Sequence, residues 1–223
     1  MIRQALCSLA LLAIIFTVTF NLEVREMGPA SNFFALLVVL GGTFAATLIA
    51  YPLAKLAWTA QLIRKSFTFR EEMHTTIEGI VRLAHIYRSR GIRPLEQEAA
   101  HLPPGLLKTG VELIAYHTSR DKIEQLLLKE ALCMHNRCET AHKMLHNMAR
   151  LAPALGLAGT IISLIRIFGH ISDPQNLIGS MAVALLSTFY GVVLANLCFV
   201  PLSNKLREYM DLNELQMDIV QEG

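Results

Sequence analysis

A chain of 223 residues that is 53% hydrophobic and 17% charged, with its apolar residues gathered into long runs, has the make-up of a polytopic membrane protein rather than of a large soluble core. A net charge of +2 without any basic stripe argues against a nucleic-acid partner. The four cysteines, Cys7 and Cys198 in apolar runs and Cys133 and Cys138 in a polar one, lack the pairing pattern of a secreted disulfide framework and read as reduced thiols.

Four stretches near 4–22, 33–54, 151–169 and 177–202 approach the roughly 20 residues needed to cross the hydrocarbon of a bilayer. The first follows Arg3 and could pass for a signal peptide, but no small-x-small cleavage site precedes Asn21 and Glu23, so the helix is expected to be retained. Between the second and third spans lie 15 Lys or Arg against 10 Asp or Glu, and Lys55, Arg64, Lys65 and Arg150 flank those spans directly. Together with Arg3, Lys205 and Arg207, this places both termini and the large middle segment in the cytoplasm.

The middle segment is expected to be helical throughout. Met73, Ile77, Ile80, Val81, Ala84 and Tyr87 recur on a helical period over residues 70–90, and Pro94 and Pro103-Pro104-Gly105 mark turns. From about Arg120 to Phe168 the only proline is Pro153, which predicts one helix running from cytoplasm into membrane, bent where Pro153 removes a backbone donor. A matching exit from the fourth span through Asn213 has Pro201 near its boundary. The resulting organisation is transmembrane helices 1 and 2 within 1–54, a cytoplasmic helical domain at 55–150, a second transmembrane pair at 151–202 and a cytoplasmic tail at 203–223.

The last two spans carry the most information. Pro153, Gly156, Gly159 and Thr160 on one, and Ser180, Ala184, Thr188, Gly191, Ala195 and Pro201 on the other, stand at the three- and four-residue spacings that share a helix face and let another helix approach closely. The polar groups on those faces are hydroxyls, and no Asp or Glu lies inside any apolar span. If ions pass, the titrating carboxylate comes from a partner.

Two further features read as structural. Arg166, near the outer end of the third span, lies off the Thr160 face by helical counting and is expected to anchor in the headgroups. The run Cys133, His135, Cys138, His142, His146 has metal-like i, i+4 spacings, but Cys138 and His146 lie about 12 Å apart along a helix, so no physiological metal is expected. With no G-x-S-x-G, no H-E-x-x-H and no acid or histidine inside a span, an enzyme is not expected either.

The run Ala152-Pro153-Ala154-Leu155-Gly156-Leu157-Ala158-Gly159-Thr160, then Asp173-Pro174, Ile178-Gly179, and Met181 through Gly191 and Ala195-Asn196 to Pro201, resembles the MotA/TolQ/ExbB proton-channel family. Two spans ahead of the cytoplasmic segment, and Val39-Leu40-Gly41-Gly42-Thr43 in the second, make the resemblance greater to the flagellar stator branch of MotA and PomA than to TolQ or ExbB. Arg88-x-x-Gly91-x-x-x-Leu95-Glu96 is similar to the charged motif by which flagellar stators meet the rotor.

The resemblance implies an all-α, four-span subunit of a ring-like homopentamer in the bacterial inner membrane. The pentamer surrounds two copies of a MotB-like single-span protein that bears a peptidoglycan-binding domain and supplies the ion-binding Asp. By the same resemblance Thr160, Thr188, Ala184 and Gly191 line the ion path, Pro153 and Pro201 shape the helix ends that move, and Arg88 and Glu96 engage a rotor. No cofactor is implied. The transported ion is H⁺ by family frequency, with the hydroxyls equally compatible with Na⁺. At 223 residues the chain is shorter than expected for a flagellar stator subunit, which leaves a TolQ/ExbB-like energiser of transport, gliding or defence as the alternative, and a passive scaffold as the second.

Overall fold

The computed structural model describes residues 29–68, 73–102, 105–169 and 174–222. Among them the regular structure is helical throughout, in agreement with the expected class. The anticipated first span at 4–22, its flanking Arg3, and the connection holding Glu23, Arg25 and Glu26 lie outside the described residues. Contacts divide the chain into two units, residues 1–67 with 141–206 and residues 68–140 with 207–223.

In the first unit, α1 runs Pro29–Ala50, with Pro29 at a helix start where its missing N–H costs nothing. Ala35, Val39, Thr43 and Thr47 form one buried stripe at four-residue intervals. The two threonine hydroxyls donate to the carbonyls of Val39 and Thr43, both at 2.6 Å, so neither leaves a bare polar group among apolar neighbours. Hydropathy carries the second span on to residue 54, but the helix stops at Ala50. Pro52 supplies no N–H and disfavours helical backbone at Tyr51, and α2, Leu53–Thr68, leaves at 111° to α1.

Three short helices of the middle segment belong to the second unit: α3 runs Met73–Arg90, α4 Ile92–His101 and α5 Leu106–Ala115. Leu83, Leu95, Ala99 and Val111 form its buried core, with Leu102 and Leu107 packed against them. Helicity over 70–90 is legible from periodicity, but Ile77, Val81, Ala84 and Tyr87 of the anticipated stripe are exposed, and the α3 residue that enters the core is Leu83. The α3–α4 turn closes at Gly91, whose φ of 79° lies where glycine alone is unstrained.

Of the remaining elements the first and last contribute to both units, and those between them to the first alone. One helix, α6, extends over Arg120–Gly169 with Pro153 inside it, as the absence of other prolines predicts. It is followed by α7, Pro174–Val193, a π-helical turn at Leu194–Phe199, and α8, Val200–Glu222. Arg120–Gly169 and Gly179–Val220 are each long and apolar enough to cross a membrane, and α1 with α2 makes a third such segment if the bent pair is one span.

Candidate functional site

Within the first unit α7 packs on α1, and it meets α6 through glycines. A Cβ added to Gly156 would stand 2.7 Å from the carbonyl oxygen of Ser187 and 3.1 Å from the Cα of Thr188. One added to Gly191 would stand 2.6 Å from the carbonyl oxygen of Ala152 and 3.1 Å from the Cα of Pro153. Gly159 faces Ser187, whose Cβ and Oγ would each lie 2.8 Å from such an atom. Hydrogen replaces methyl at all three, so backbone meets backbone at Gly156 and Gly191 and meets the Ser187 side chain at Gly159.

That approach brings the two threonines together. Thr160 Oγ1 and Thr188 Oγ1 are 2.5 Å apart, and Thr160 Oγ1 also lies 3.2 Å from the carbonyl of Gly156 and 3.1 Å from that of Ala184. Thr188 Oγ1 is 3.5 Å from the same Gly156 carbonyl. Each hydroxyl has one proton and two lone pairs, so two protons serve a cluster of four oxygens and several proton arrangements are available without creating a charge. Both threonines are half-buried. Neighbouring Ser187, 1% exposed, gives its proton to the carbonyl of Val183 at 2.8 Å.

The anticipated residues therefore fall into groups. Thr160, Thr188 and the backbone of Ala184 meet in the oxygen cluster, whereas Gly191 meets Pro153 one turn away as a packing contact. Pro201 is the second residue of α8, two positions beyond the end of the π turn. Arg88 and Glu96 are exposed on α3 and α4 of the other unit, on either side of Gly91 and the 3%-exposed Leu95. Half of that motif is thus fold and half surface. Leu95→Ala should destabilise the second unit by about 2–5 kcal/mol, seen as faster proteolysis of the middle segment, while the adjacent Glu96→Ala leaves proteolysis unchanged.

Sequence reasoning overlooks three features here. Ser187 is the surface against which Gly159 packs, the π turn interrupts the anticipated fourth span, and His142 contacts Ser203. His142 Nδ1 lies 2.9 Å from both the carbonyl and the Oγ of Ser203, and Ser203 Oγ donates to the carbonyl of His142 at 3.3 Å. The signal for the last is an isolated serine and histidine on apolar helix faces, where each needs a partner.

Among the described residues no three of His, Cys, Asp and Glu converge on a common point, and the His142 ring is engaged by Ser203 and stacked on His146 with centroids 6.2 Å apart. Cys133 is exposed and Cys138 buried, and neither is in a disulfide. Burial pushes the Cys138 thiol above the ordinary range, which lowers its thiolate fraction. A water-soluble maleimide is expected to label Cys133 and leave Cys138 unmodified until the protein is denatured, as read by peptide mass spectrometry.

The sequence profile described as the MotA/TolQ/ExbB proton channel family matches residues 98–219. Motility protein A of Cereibacter sphaeroides is 31% identical over 212 residues, which cover 95% of this chain and 83% of that protein. The chemotaxis protein PomA of Vibrio alginolyticus is 26% identical over 190 residues, covering 85% and 74%. The fold is also that of a chain in the flagellar MotAB stator complex from Bacillus subtilis, with a TM-score of 0.77 at 22% identity over 98% of this chain and 88% of that one. A profile spanning more than half the chain, and a 31% identical motility protein matched over 95% of it, place this chain in the MotA/TolQ/ExbB proton channel family.

Proposed function

We propose that this chain is the channel-forming stator subunit of a flagellar-type motor, converting a proton gradient into rotation together with a MotB-like partner. The observation that carries the reading is the Thr160–Thr188 pair, two hydroxyls held in contact by glycine-mediated backbone packing, on helices whose membrane portions have no acid of their own. An ionised carboxylate inside a bilayer is costly. A partner Asp that gains or loses a proton therefore changes its preference between an apolar helix face and a face bearing hydroxyls and carbonyls. The Thr160–Thr188 cluster offers both donors and acceptors by rotation of two O–H bonds. Hydroxyls of this kind serve Na⁺ as well, so flux in the absence of Na⁺ distinguishes the ions.

In the assembled state five copies enclose two partner helices, with four spans per copy, and both chain ends and the second unit lie in the cytoplasm. Pro153, without an N–H to give the carbonyl of Ala149, and Pro201 permit the helix ends to shift. Arg88 and Glu96, exposed on the second unit, present opposite charges to a rotor. Arg166, exposed in the last turn of α6, complements the negative end of that helix and anchors it in the headgroups.

The test is electron cryo-microscopy of the complex purified with its MotB-like partner, paired with proton flux into liposomes. Five copies around two foreign helices, with flux that vanishes when the partner Asp becomes Asn, is the expected result. A complex that encloses no foreign helix, or flux through this subunit alone, overturns the reading. A passive scaffold would show no flux in either preparation.

A further inference from the structure

Buried positions along the composite helix from α7 to α8 follow an unusual interval. Gly191, Ala195, Phe199 and Ser203 are all buried, in three consecutive steps of four residues. An α-helix turns about 100° per residue, so each such step overshoots a full turn by about 40° and the three together by about 120°. A straight α-helix with Gly191 facing α6 would carry Ser203 about 120° away from it. Yet both residues meet α6, Gly191 at the Ala152–Pro153 backbone and Ser203 through His142.

The π-helical turn at Leu194–Phe199 lies inside that interval. The N–H of Val200 bonds back five residues to the carbonyl of Ala195, and a wider ring turns less per residue than an α-helix does. Two side chains accommodate it. Pro201 has no N–H to continue the ordinary ladder to Leu197, and Asn196 Nδ2 donates to the carbonyl of Val192 at 3.0 Å. We infer that the π turn is a positioning device for the ion path: its extra residue takes up the accumulated rotation, so that the Thr160–Thr188 pair and the His142–Ser203 contact form on α6 together.

The inference rests on the reading of Thr160 and Thr188 as ion-path residues, but its geometry is testable apart from flux. In the full complex, with the native cysteines replaced by serine, Thr160→Cys with Thr188→Cys, and His142→Cys with Ser203→Cys, are each expected to cross-link on mild oxidation. Deleting residue 198 removes the surplus residue. It should keep the first cross-link, abolish the second, and abolish flux in the background where Thr160 and Thr188 are intact. Inserting one alanine after Val200 in the deletion variant restores the count, and should restore the second cross-link and flux, a rescue that a general packing defect would not show. Should the deletion variant not accumulate in membranes, recovery of accumulation and of both cross-links on insertion supports the inference. Retention of both cross-links in the deletion variant, or no recovery on insertion, overturns it. Unimpaired flux in both Thr188→Val and Thr160→Val refutes the ion-path reading alone, since the cross-link yields still decide the register.

Discussion

Gly156→Ala and Gly191→Ala are each expected to separate α6 from α7 and abolish swimming. In both cases the added methyl meets backbone, the Ser187 carbonyl at 2.7 Å or the Ala152 carbonyl at 2.6 Å, and a second backbone atom at 3.1 Å. A flexible side chain could swing aside, but here a whole helix must move. Overpacking that displaces side chains and backbone costs about 1–3 kcal/mol, occasionally more. The movement also draws the Thr160 and Thr188 hydroxyls out of contact, so function falls further than stability does. Gly41 is the matched control, because nothing lies within 4 Å of the position an alanine methyl would take there, and the substitution removes the helix penalty of glycine, about 1 kcal/mol. Gly42, which faces the flexible Leu155 side chain at 3.1 Å, should fall between. Membrane accumulation, thermal unfolding in detergent and swimming speed rank the four variants. Equal behaviour of Gly41→Ala and Gly156→Ala would sink the backbone-contact account.

How much of this is legible in the sequence depends on the range of the interaction. The apolar length of the last two spans, the uninterrupted α6 and the threonine pair all follow from local pattern or from matched motif positions, and the structure places Thr160 and Thr188 in contact. The end of α1 falls a few residues earlier than hydropathy suggests, because hydropathy alone does not see that Pro52 disfavours helix at Tyr51. On α3 the periodicity is consistent with several faces, and the choice of Leu83 over Ile77 and Val81 is made by α4 and α5, which supply Leu95, Ala99 and Val111. Gly191 and Ala184 illustrate a subtler limit. Small residues mark a close approach without saying whose: Gly191 receives this chain's own Pro153 backbone, whereas Ala184 contributes a carbonyl to Thr160. The π turn is invisible for a related reason, since residues 194–199 read as ordinary apolar helix and the extra residue shows only in the fold, in the Val200–Ala195 backbone bond and the burial of both Gly191 and Ser203.

Thr188→Val should leave the complex assembled and strip it of most of its flux. Valine keeps the shape of threonine and exchanges a hydroxyl for a methyl, so the Gly156 backbone contact with Ser187 and Thr188 survives. What is lost is one of two protons in the cluster and the acceptor 2.5 Å from Thr160 Oγ1. Thr160 retains the carbonyls of Gly156 and Ala184, and no buried donor is orphaned in the resting state, which is why stability changes little. The passing ion or partner carboxylate, by contrast, loses a charge-assisted hydrogen bond worth about 1.5–3 kcal/mol, or roughly a tenfold to hundredfold slower step. Thr188→Ser, which restores the hydroxyl in a smaller volume, should recover much of the flux, whereas Thr188→Leu adds bulk and should impair assembly as well. Proton uptake by proteoliposomes, scaled to the amount of intact complex, separates these outcomes. Normal flux and torque in both Thr188→Val and Thr160→Val would remove the hydroxyl pair from the ion path and leave the glycine crossing as a purely structural joint.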